Sequence, residues 1–521
     1  MGKNSPYIMQ KIDYSKELDL EKEREKLKRS VALILRRMME ECYGCGICLS
    51  NCPYNEYDKK TARTIMTEIK EYAESPNLSK KLSRKTKKYI WTCCLCETCN
   101  LKCPLPVEKQ LPKSALALLL RYTLVRKNQA PFMVKIASLF LKDIENPIFK
   151  NIWPIATKLL VEDWYGEEEM YVRIRRKMEK VQQRPSQGAE VCFFGGCGHT
   201  WMAPDAVYQV ISTLEDAGEK IVTIGHPDYC CGLVYALLGF LERWMEQTYN
   251  LYHSYLSLEP QPKKLLLHCP GCTTIHLFDM AKYGVDLPLD HLRKMPGGVE
   301  MMHISEYVLH LLNEDKLKLD TPVPLTVTYN DNCSIGRRMR YMGREAYEEP
   351  RKILDQIPEI SLVESDFIRE ESPCCGLLNK TFGFGTNFKK VFHDPNYTIH
   401  EKLFKNLHEK GSHILLTPCM GCELTFEDGA RVLQEKLGYK IQIMDLNEVV
   451  SRAQGKVIPQ RQGLINDLIM FKFPLIKPRL VKFMLKELLP RIIKTRAYID
   501  IFRLIKETLI YLLFPKRYKP K

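Results

Sequence analysis

Twenty cysteines stand in this chain of 521 residues, and eighteen of them fall into four sets. Cys42, Cys45, Cys48 and Cys52 form a C-x2-C-x2-C-x3-C run closed by Pro53. Cys93, Cys96, Cys99 and Cys103 form a second run, closed by Pro104. Two copies of a rarer pattern follow: a lone Cys, an adjacent Cys-Cys-Gly, then C-x2-C. The first copy is Cys197, Cys230, Cys231, Cys269 and Cys272; the second is Cys333, Cys374, Cys375, Cys419 and Cys422. Cys94 and Cys192 are left over. Thiolates are ligands for soft metals. The polar, charged stretch Met1–Arg29 has no apolar core of a secretory signal. A chain of this length can bury cores without disulfide staples. Metal binding is therefore the expected use of the cysteines, and disulfides are not.

The two runs carry the spacing of [4Fe–4S] cubane ligands. Three close cysteines wrap one face of a cubane, and the fourth serves the other cluster in two-cluster ferredoxins. The expected sets are Cys42, Cys45, Cys48 and Cys103 for cubane 1, and Cys93, Cys96, Cys99 and Cys52 for cubane 2. Structural zinc would favour two separated C-x2-C pairs. Cys93 is preferred to Cys94 because it repeats the spacing of the first run. Cys94 is then a small buried apolar residue. Each fivefold set holds more thiolates than a cubane has corners, which points to a distorted or opened cluster. An iron with an accessible position can bind a substrate sulfur.

This arrangement resembles the catalytic subunits of heterodisulfide reductases, in particular the fused D-type subunit, over about residues 40–450. Local matches are Phe193-Phe194-Gly195-Gly196-Cys197, Glu348-Glu349-Pro350-Arg351 and Thr417-Pro418-Cys419. The resemblance implies a ferredoxin-like module followed by two CCG domains. It implies a noncubane [4Fe–4S] cluster on each complete fivefold set, with a substrate disulfide split between the two. Similar architecture occurs in iron–sulfur subunits of membrane-bound sulfur-metabolism complexes and of anaerobic glycerol-3-phosphate, lactate and glycolate dehydrogenase complexes. This chain departs in reading Asn330-Asp331-Asn332-Cys333 where many relatives have His-Asp-x-Cys. It also reads Leu377-Leu378-Asn379 where many have a glycine run.

The elements that must position these thiols change along the chain. Residues 15–40 and 53–92 read as helical from their Lys, Glu, Ala and Leu content. Further helical patterns run from about 113 to 178, broken near Pro131, Pro147 and Pro154. From Val191 short apolar strands alternate with helices. Expected strands are Val191–Phe194, Lys220–Ile224 and Lys264–His268, then Leu325–Tyr329, Ser361–Val363 and Ile414–Thr417. A helix is expected over Ala206–Ala217. Equivalent cysteines are offset by 136, 144 and 150 residues between copies. That steady growth marks an internal duplication of an α/β unit. Each cysteine group follows a predicted strand end, where ligands gather in open α/β sheets.

The fold class expected is α+β. The chain divides into an N-terminal α-helical ferredoxin-like module (1–110), a helical connector (111–187), the first CCG domain (188–310), the second CCG domain (311–450) and a basic helical tail (451–521). The net charge of +15 is concentrated in that tail, which has 17 Lys/Arg against 4 Asp/Glu. Arg496, Asp500, Arg503 and Glu507 fall on one helical face, and Ile499, Phe502, Ile505 and Leu509 cover much of the other. A basic amphipathic helix suits an anionic membrane surface or a membrane subunit, or simply caps the α/β units. No aromatic-interleaved reader of nucleic acid is present, so no nucleic-acid partner is expected. The longest apolar runs, Ala115–Leu120 and Leu509–Phe514, are too short to span a bilayer.

His199, His226, His268 and His303 lie near the cysteine units and could supply protons, although turn or core roles are the plainer reading. Arg337 and Arg338 could hold an anionic disulfide, with solvated helix positions as the plainer reading. No dinucleotide fingerprint or P-loop is present, so electrons must come from a partner. The expected function is an iron–sulfur oxidoreductase subunit. Two cubanes would pass electrons to a noncubane pair that reduces a disulfide-type substrate. The donor would be a membrane cytochrome b or quinone-linked subunit, and the site peripheral on the cytoplasmic face of the membrane. The alternative is an electron-transfer subunit of a membrane-associated respiratory complex, without disulfide chemistry.

Overall fold

The structure is a computed structural model. It describes residues 20–54, 57–131, 134–135, 180, 186–224, 230–277, 299–378 and 395–456. These fall almost entirely in one compact unit, Met1–Asn128 with Ile174–Ile458. A second unit, Gln129–Arg173 with Pro459–Lys521, lies almost wholly outside the described residues, as do most of the expected connector, the basic tail and His226.

The N-terminal module is helical. Its elements are α1 (Leu20–Glu40), the short α2 (Ile47–Ser50), α3 (Lys59–Glu74), α4 (Arg84–Thr92) and α5 (Lys113–Arg126). Asp58 caps α3 by accepting from Thr61 N, and Ser83 caps α4 by accepting from Thr86 N. One stripe of α3, from Ala62 through Ile65, Met66, Ile69 and Tyr72, is buried. These long helices hold the two cysteine loops apart in sequence and together in space.

The first α/β unit contains β1 (Val191–Phe194), α6 (Cys197–Met202), α7 (Pro204–Asp216), β2 (Ile221–Thr223), α8 (Leu233–Leu237) and α9 (Leu241–Leu256). It continues with β3 (Lys264–Leu267), α10 (Pro270–Leu277), β4 (Glu300–His303) and α11 (Ile304–Asn313). The second contains β5 (Thr326–Tyr329), α12 (Glu349–Leu354), β6 (Ser361–Leu362), α13 (Pro395–Glu409), β7 (Ile414–Thr417), α14 (Met420–Leu437), β8 (Gln442–Asp445) and α15 (Leu446–Ala453). Each unit has a four-stranded sheet, every pair parallel, in the orders β2-β1-β3-β4 and β6-β5-β7-β8. The two orders are the same, as a duplication requires. Within each, the chain leaves the first strand in one direction and the third in the other, so a crevice opens beyond the carboxyl ends between them.

The strands expected from sequence lie within a residue or so of those observed. The fourth strand of each sheet, β4 and β8, is not among those expected. Both are four-residue edge strands, Glu-Met-Met-His and Gln-Ile-Met-Asp, with too little apolar length to stand out. They close the sheets, and their last residues, His303 and Asp445, cap α11 and α15. One hydrophobic core runs through both units, joining Phe193, Leu266 and Tyr307 to Val327, Tyr329, Met444 and Val449. No helix among the described residues is long and apolar enough to cross a membrane.

Candidate metal centre

In the module, Gly46 has φ +78° and opens α2. A Cβ there would lie 2.4 Å from Arg63 N, so only glycine lets the Cys42–Cys48 loop close onto α3. Cys42, Cys45, Cys48 and Cys103 line one open pocket, together with Met66 and Lys113. The structure thus brings the last cysteine of the second run to the first three of the first run. Lys113 is buried there. Burial opposes its charge, but Cys48, Cys42, Cys99 and Glu97 outweigh that and raise its pKa. Buried Glu97 caps α5, accepting from Lys113 N at 3.2 Å and Ser114 N at 2.6 Å. It also accepts from Asn100 Nδ2 at 2.7 Å and, from the second unit, Tyr341 Oη at 3.1 Å.

The other loop is deeper. Burial pushes the Cys93 thiol up to about 12, and Cys96 and Cys52 add to the rise. Cys99 is raised first by burial, then by Cys48, Glu97 and Cys52. Cys52 packs against the buried group that contains Cys94 and Cys96 of the second run. Arg121, fully buried in α5, ties this loop down. It donates from Nη2 to Cys93 O (2.7 Å), from Nε to Ile90 O (3.0 Å) and from Nη1 to Leu237 O of the first unit (3.0 Å).

Both fivefold sets converge beyond the carboxyl ends of the strands. Cys197 follows β1, Cys230 and Cys231 follow β2, and Cys269 and Cys272 follow β3. Cys197 Sγ lies 3.1 Å from Cys230 Sγ, and Cys272 Sγ lies 2.9 Å from Cys231 Sγ. Gly232, with φ +75°, turns the Cys-Cys pair into α8; a Cβ there would lie 2.7 Å from Trp244 Cδ1. In the second unit Cys374 interacts with Cys333 and Cys375, and Cys375 with Cys374 and Cys422. Cys419 adjoins Cys422. The Cys375 thiol is lowered to about 6 by the hydrogen bonds from Cys374 and Cys422. Asn332 Nδ2 donates to Cys422 Sγ at 3.2 Å, while Asn330, which stands where many relatives have His, accepts from Ser372 Oγ at 3.2 Å. All twenty cysteines are free thiols. Four groups of soft donors with no disulfide among them fit iron–sulfide chemistry. Metal binding would draw the protons off these thiols, because only the thiolate is a ligand.

Asp331, two residues before Cys333, is fixed by Arg351. Nη1 donates to Oδ1 at 2.8 Å and Nη2 to Oδ2 at 2.9 Å, while Arg351 Nε reaches Glu364 at 2.5 Å. Arg369 N adds a third bond to Asp331 at 2.6 Å. The Glu-Glu-Pro-Arg match therefore positions the cysteine segment.

His199, His268 and His303 are core residues. His199 stacks on His268 with ring centroids 4.0 Å apart and planes at 21°. Donor atoms of His199, His268 and Asp445 lie within 4.8 Å of one another. Near-parallel rings direct their nitrogens side by side rather than at a common point, which opposes a shared metal. His268 meets Asn447 Nδ2 at 3.2 Å, and His303 Nε2 bonds His268 O at 2.9 Å. Burial lowers the His303 pKa to about 3.

Two expectations need correction. Arg337 and Arg338 are not solvated, being 1% and 8% exposed. Both are bound to the cubane loop: Arg337 Nε donates to Cys96 O at 2.7 Å, and Arg338 Nε to Leu95 O at 2.5 Å. Sequence reasoning missed this grip, for which the adjacent Arg-Arg four residues after Cys333 was the available signal. Cys94 is buried as expected, but its sulfur lies against Cys374 as well as apolar neighbours.

These thiol groups coincide with known families. The 4Fe-4S dicluster domain matches residues 38–107, which contain all eight cysteines of the two runs. The cysteine-rich domain matches residues 327–427, which contain the whole second fivefold set. The chain is similar to the D-type subunit of heterodisulfide reductases. That of the dihydromethanophenazine:CoB–CoM heterodisulfide reductase of Methanosarcina mazei is 24% identical, over 80% of this chain and 94% of its own length. Its Methanosarcina barkeri counterpart is 27% identical over 51% of this chain, a match spanning 59% of that protein. The B-type subunit of the fumarate reductase (CoM/CoB) of Methanothermobacter marburgensis is 24% identical over 80% of this chain and 73% of its own.

Proposed function

We propose that this chain is an iron–sulfur oxidoreductase subunit that reduces a small disulfide to two thiols. Electrons would come from a partner protein, either a membrane cytochrome b or a quinone-linked donor. The observation that carries the reading is the convergence of two complete fivefold thiol sets beyond equivalent strand ends, behind a module with two further thiol groups. Cys42, Cys45, Cys48 and Cys103 would hold one cubane, and Cys93, Cys96, Cys99 and Cys52 the other. Cys197, Cys230, Cys231, Cys269 and Cys272 would hold the first noncubane cluster. Cys333, Cys374, Cys375, Cys419 and Cys422 would hold the second. When bound, the noncubane clusters supply iron positions open to a substrate sulfur. The balance is one disulfide, two electrons and two protons giving two thiols. The protein's own part is to hold the thiols converged and to exclude water. The domain limits 1–110, 111–187, 188–310, 311–450 and 451–521 belong to this proposal, as does peripheral attachment to a cytoplasmic membrane face through the basic tail.

A second reading, a pure electron relay, is favoured by similarity to the EtfAB:quinone oxidoreductase of Syntrophomonas wolfei, 22% identical over 80% of this chain and 58% of that protein. Spectroscopy separates the two. Anaerobic oxidised protein, treated with a series of disulfides and thiols, gives a substrate-dependent paramagnetic signal if the fivefold sets bind substrate sulfur. Silence with every compound favours the relay.

A further inference from the structure

The module does not meet the two fivefold sets in the same way. Tyr54, Cys94, Cys96 and Cys374 form one buried group, with Cys52 and Cys333 packed against it. Cys52, Cys94 and Cys96 come from the module, and Cys333 and Cys374 from the second unit. No thiol of the first fivefold set belongs to this group among the described residues. Tyr54, two residues after Cys52, donates its hydroxyl to the Cys374 carbonyl. The first unit is tied to the module through helix α5 instead, by the bond from Arg121 to Leu237 O.

Arg337 sits at the same junction. Its Nε holds Cys96 O at 2.7 Å, and its Nη1 holds Glu370 O at 3.0 Å and Ser372 O at 2.5 Å, just before Cys374. Its Nη2 is buried without a hydrogen-bond partner. These bonds bracket the guanidinium between Cys96 of the module and the segment that enters Cys374. A side chain needed only to brace the loop would have no reason to bring an unspent donor and a full positive charge among sulfurs. A buried cation stabilises whichever neighbouring state carries more negative charge, and in a low-dielectric site it does so strongly.

We propose that this junction makes the second fivefold set the first acceptor of electrons from the module, and that Arg337 sets the reduction potential there. The proposal rests on the cluster assignment made above. One electron at a time passes from the reduced module, held by Cys96, to the second set. The module loses what the second set gains, and no bond breaks. Two such transfers supply the disulfide reduction, with the electron-donating partner or dithionite as reductant.

The test is an anaerobic redox titration of the full chain, monitored by paramagnetic resonance, with Arg337→Gln and Arg337→Lys. Removing the cation disfavours the reduced state. In Arg337→Gln the midpoint of the Cys96-bound cluster should therefore move negative by about tenfold in its equilibrium, 59 mV for one electron. Iron content and the first set's signal stay unchanged, and Arg337→Lys restores most of the shift. An unmoved midpoint in Arg337→Gln, or a shift that Arg337→Lys leaves uncorrected, makes Arg337 a clamp only. A second measurement does not depend on that residue. After rapid mixing with limiting dithionite, Cys197→Ser should still deliver electrons to the second set at the wild-type rate, and Cys333→Ser should stop delivery to the first. If Cys197→Ser instead abolishes arrival at the second set, the order is reversed and the proposal falls. If neither fivefold set yields a cluster signal, the function proposed above fails instead.

Discussion

Replacing Arg351 with methionine tests how the second cysteine segment is held in place. Asp331 has a fully buried side chain and receives two bonds from Arg351 and one from the Arg369 amide. Removing one member of a buried ion pair costs about 3–5 kcal/mol, because the other charge is left in low dielectric. Arg351 also reaches Glu364, whose side chain is about a third exposed and partly screened by water, so that bond adds little. The residual Arg369 bond softens the loss, which places the expected cost of Arg351→Met near the lower end, about 3 kcal/mol. Asp331→Asn keeps the shape and strands less charge, at about 1–3 kcal/mol. The double variant should cost clearly less than the sum, because the unpaired carboxylate is gone. The assay is guanidinium unfolding of anaerobic protein, with release of iron to a chelator followed beside tryptophan fluorescence. Iron bound by the second set should be lost first. Additive costs, or an Arg351→Met cost below about 1 kcal/mol, would refute a positioning role for the pair.

Other outcomes follow from the same geometry. Cys103→Ser should erase the signal of the cluster on Cys42, Cys45 and Cys48, and Cys52→Ser that of the cluster on Cys93, Cys96 and Cys99; loss of the sequence-adjacent cluster in each case would overturn the exchanged pairing. Gly232→Ala forces a Cβ toward Trp244 at a positive φ, so it should lower iron at the first fivefold set while leaving the module's eight-cysteine signals intact in the same spectra. His303 is held neutral, with a pKa near 3 against an ordinary value of about 6.5. Its contribution is full above the unfolded value and is lost as pH falls from about 6.5 toward 3. By pH 5 the loss is about 2 kcal/mol, and His303→Asp, mimicking the Asp445 cap, should flatten that part of the stability-against-pH curve.

The sequence made the metal chemistry legible because ligand spacing is local: a loop that wraps a cluster must write its cysteines close together. The duplication was legible for a related reason, since the same strand ends carry the same thiols in both units. What escaped was tertiary. Arg337 and Arg338 look like helix-surface charge until Cys96 O and Leu95 O are seen beside them. Cys94 looks like a spare residue until the second unit brings Cys374 against it. Strands β4 and β8 are too short to announce themselves, although the caps at His303 and Asp445 mark where they end.

Metal analysis of protein prepared without oxygen bears most directly on the central claim. Four clusters predict about sixteen irons per chain with matching sulfide, and zinc only in traces. Spectra should contain two noncubane components lost separately in Cys231→Ser and Cys375→Ser. A colourless sample, or one whose thiol groups hold zinc at full occupancy, would contradict the account.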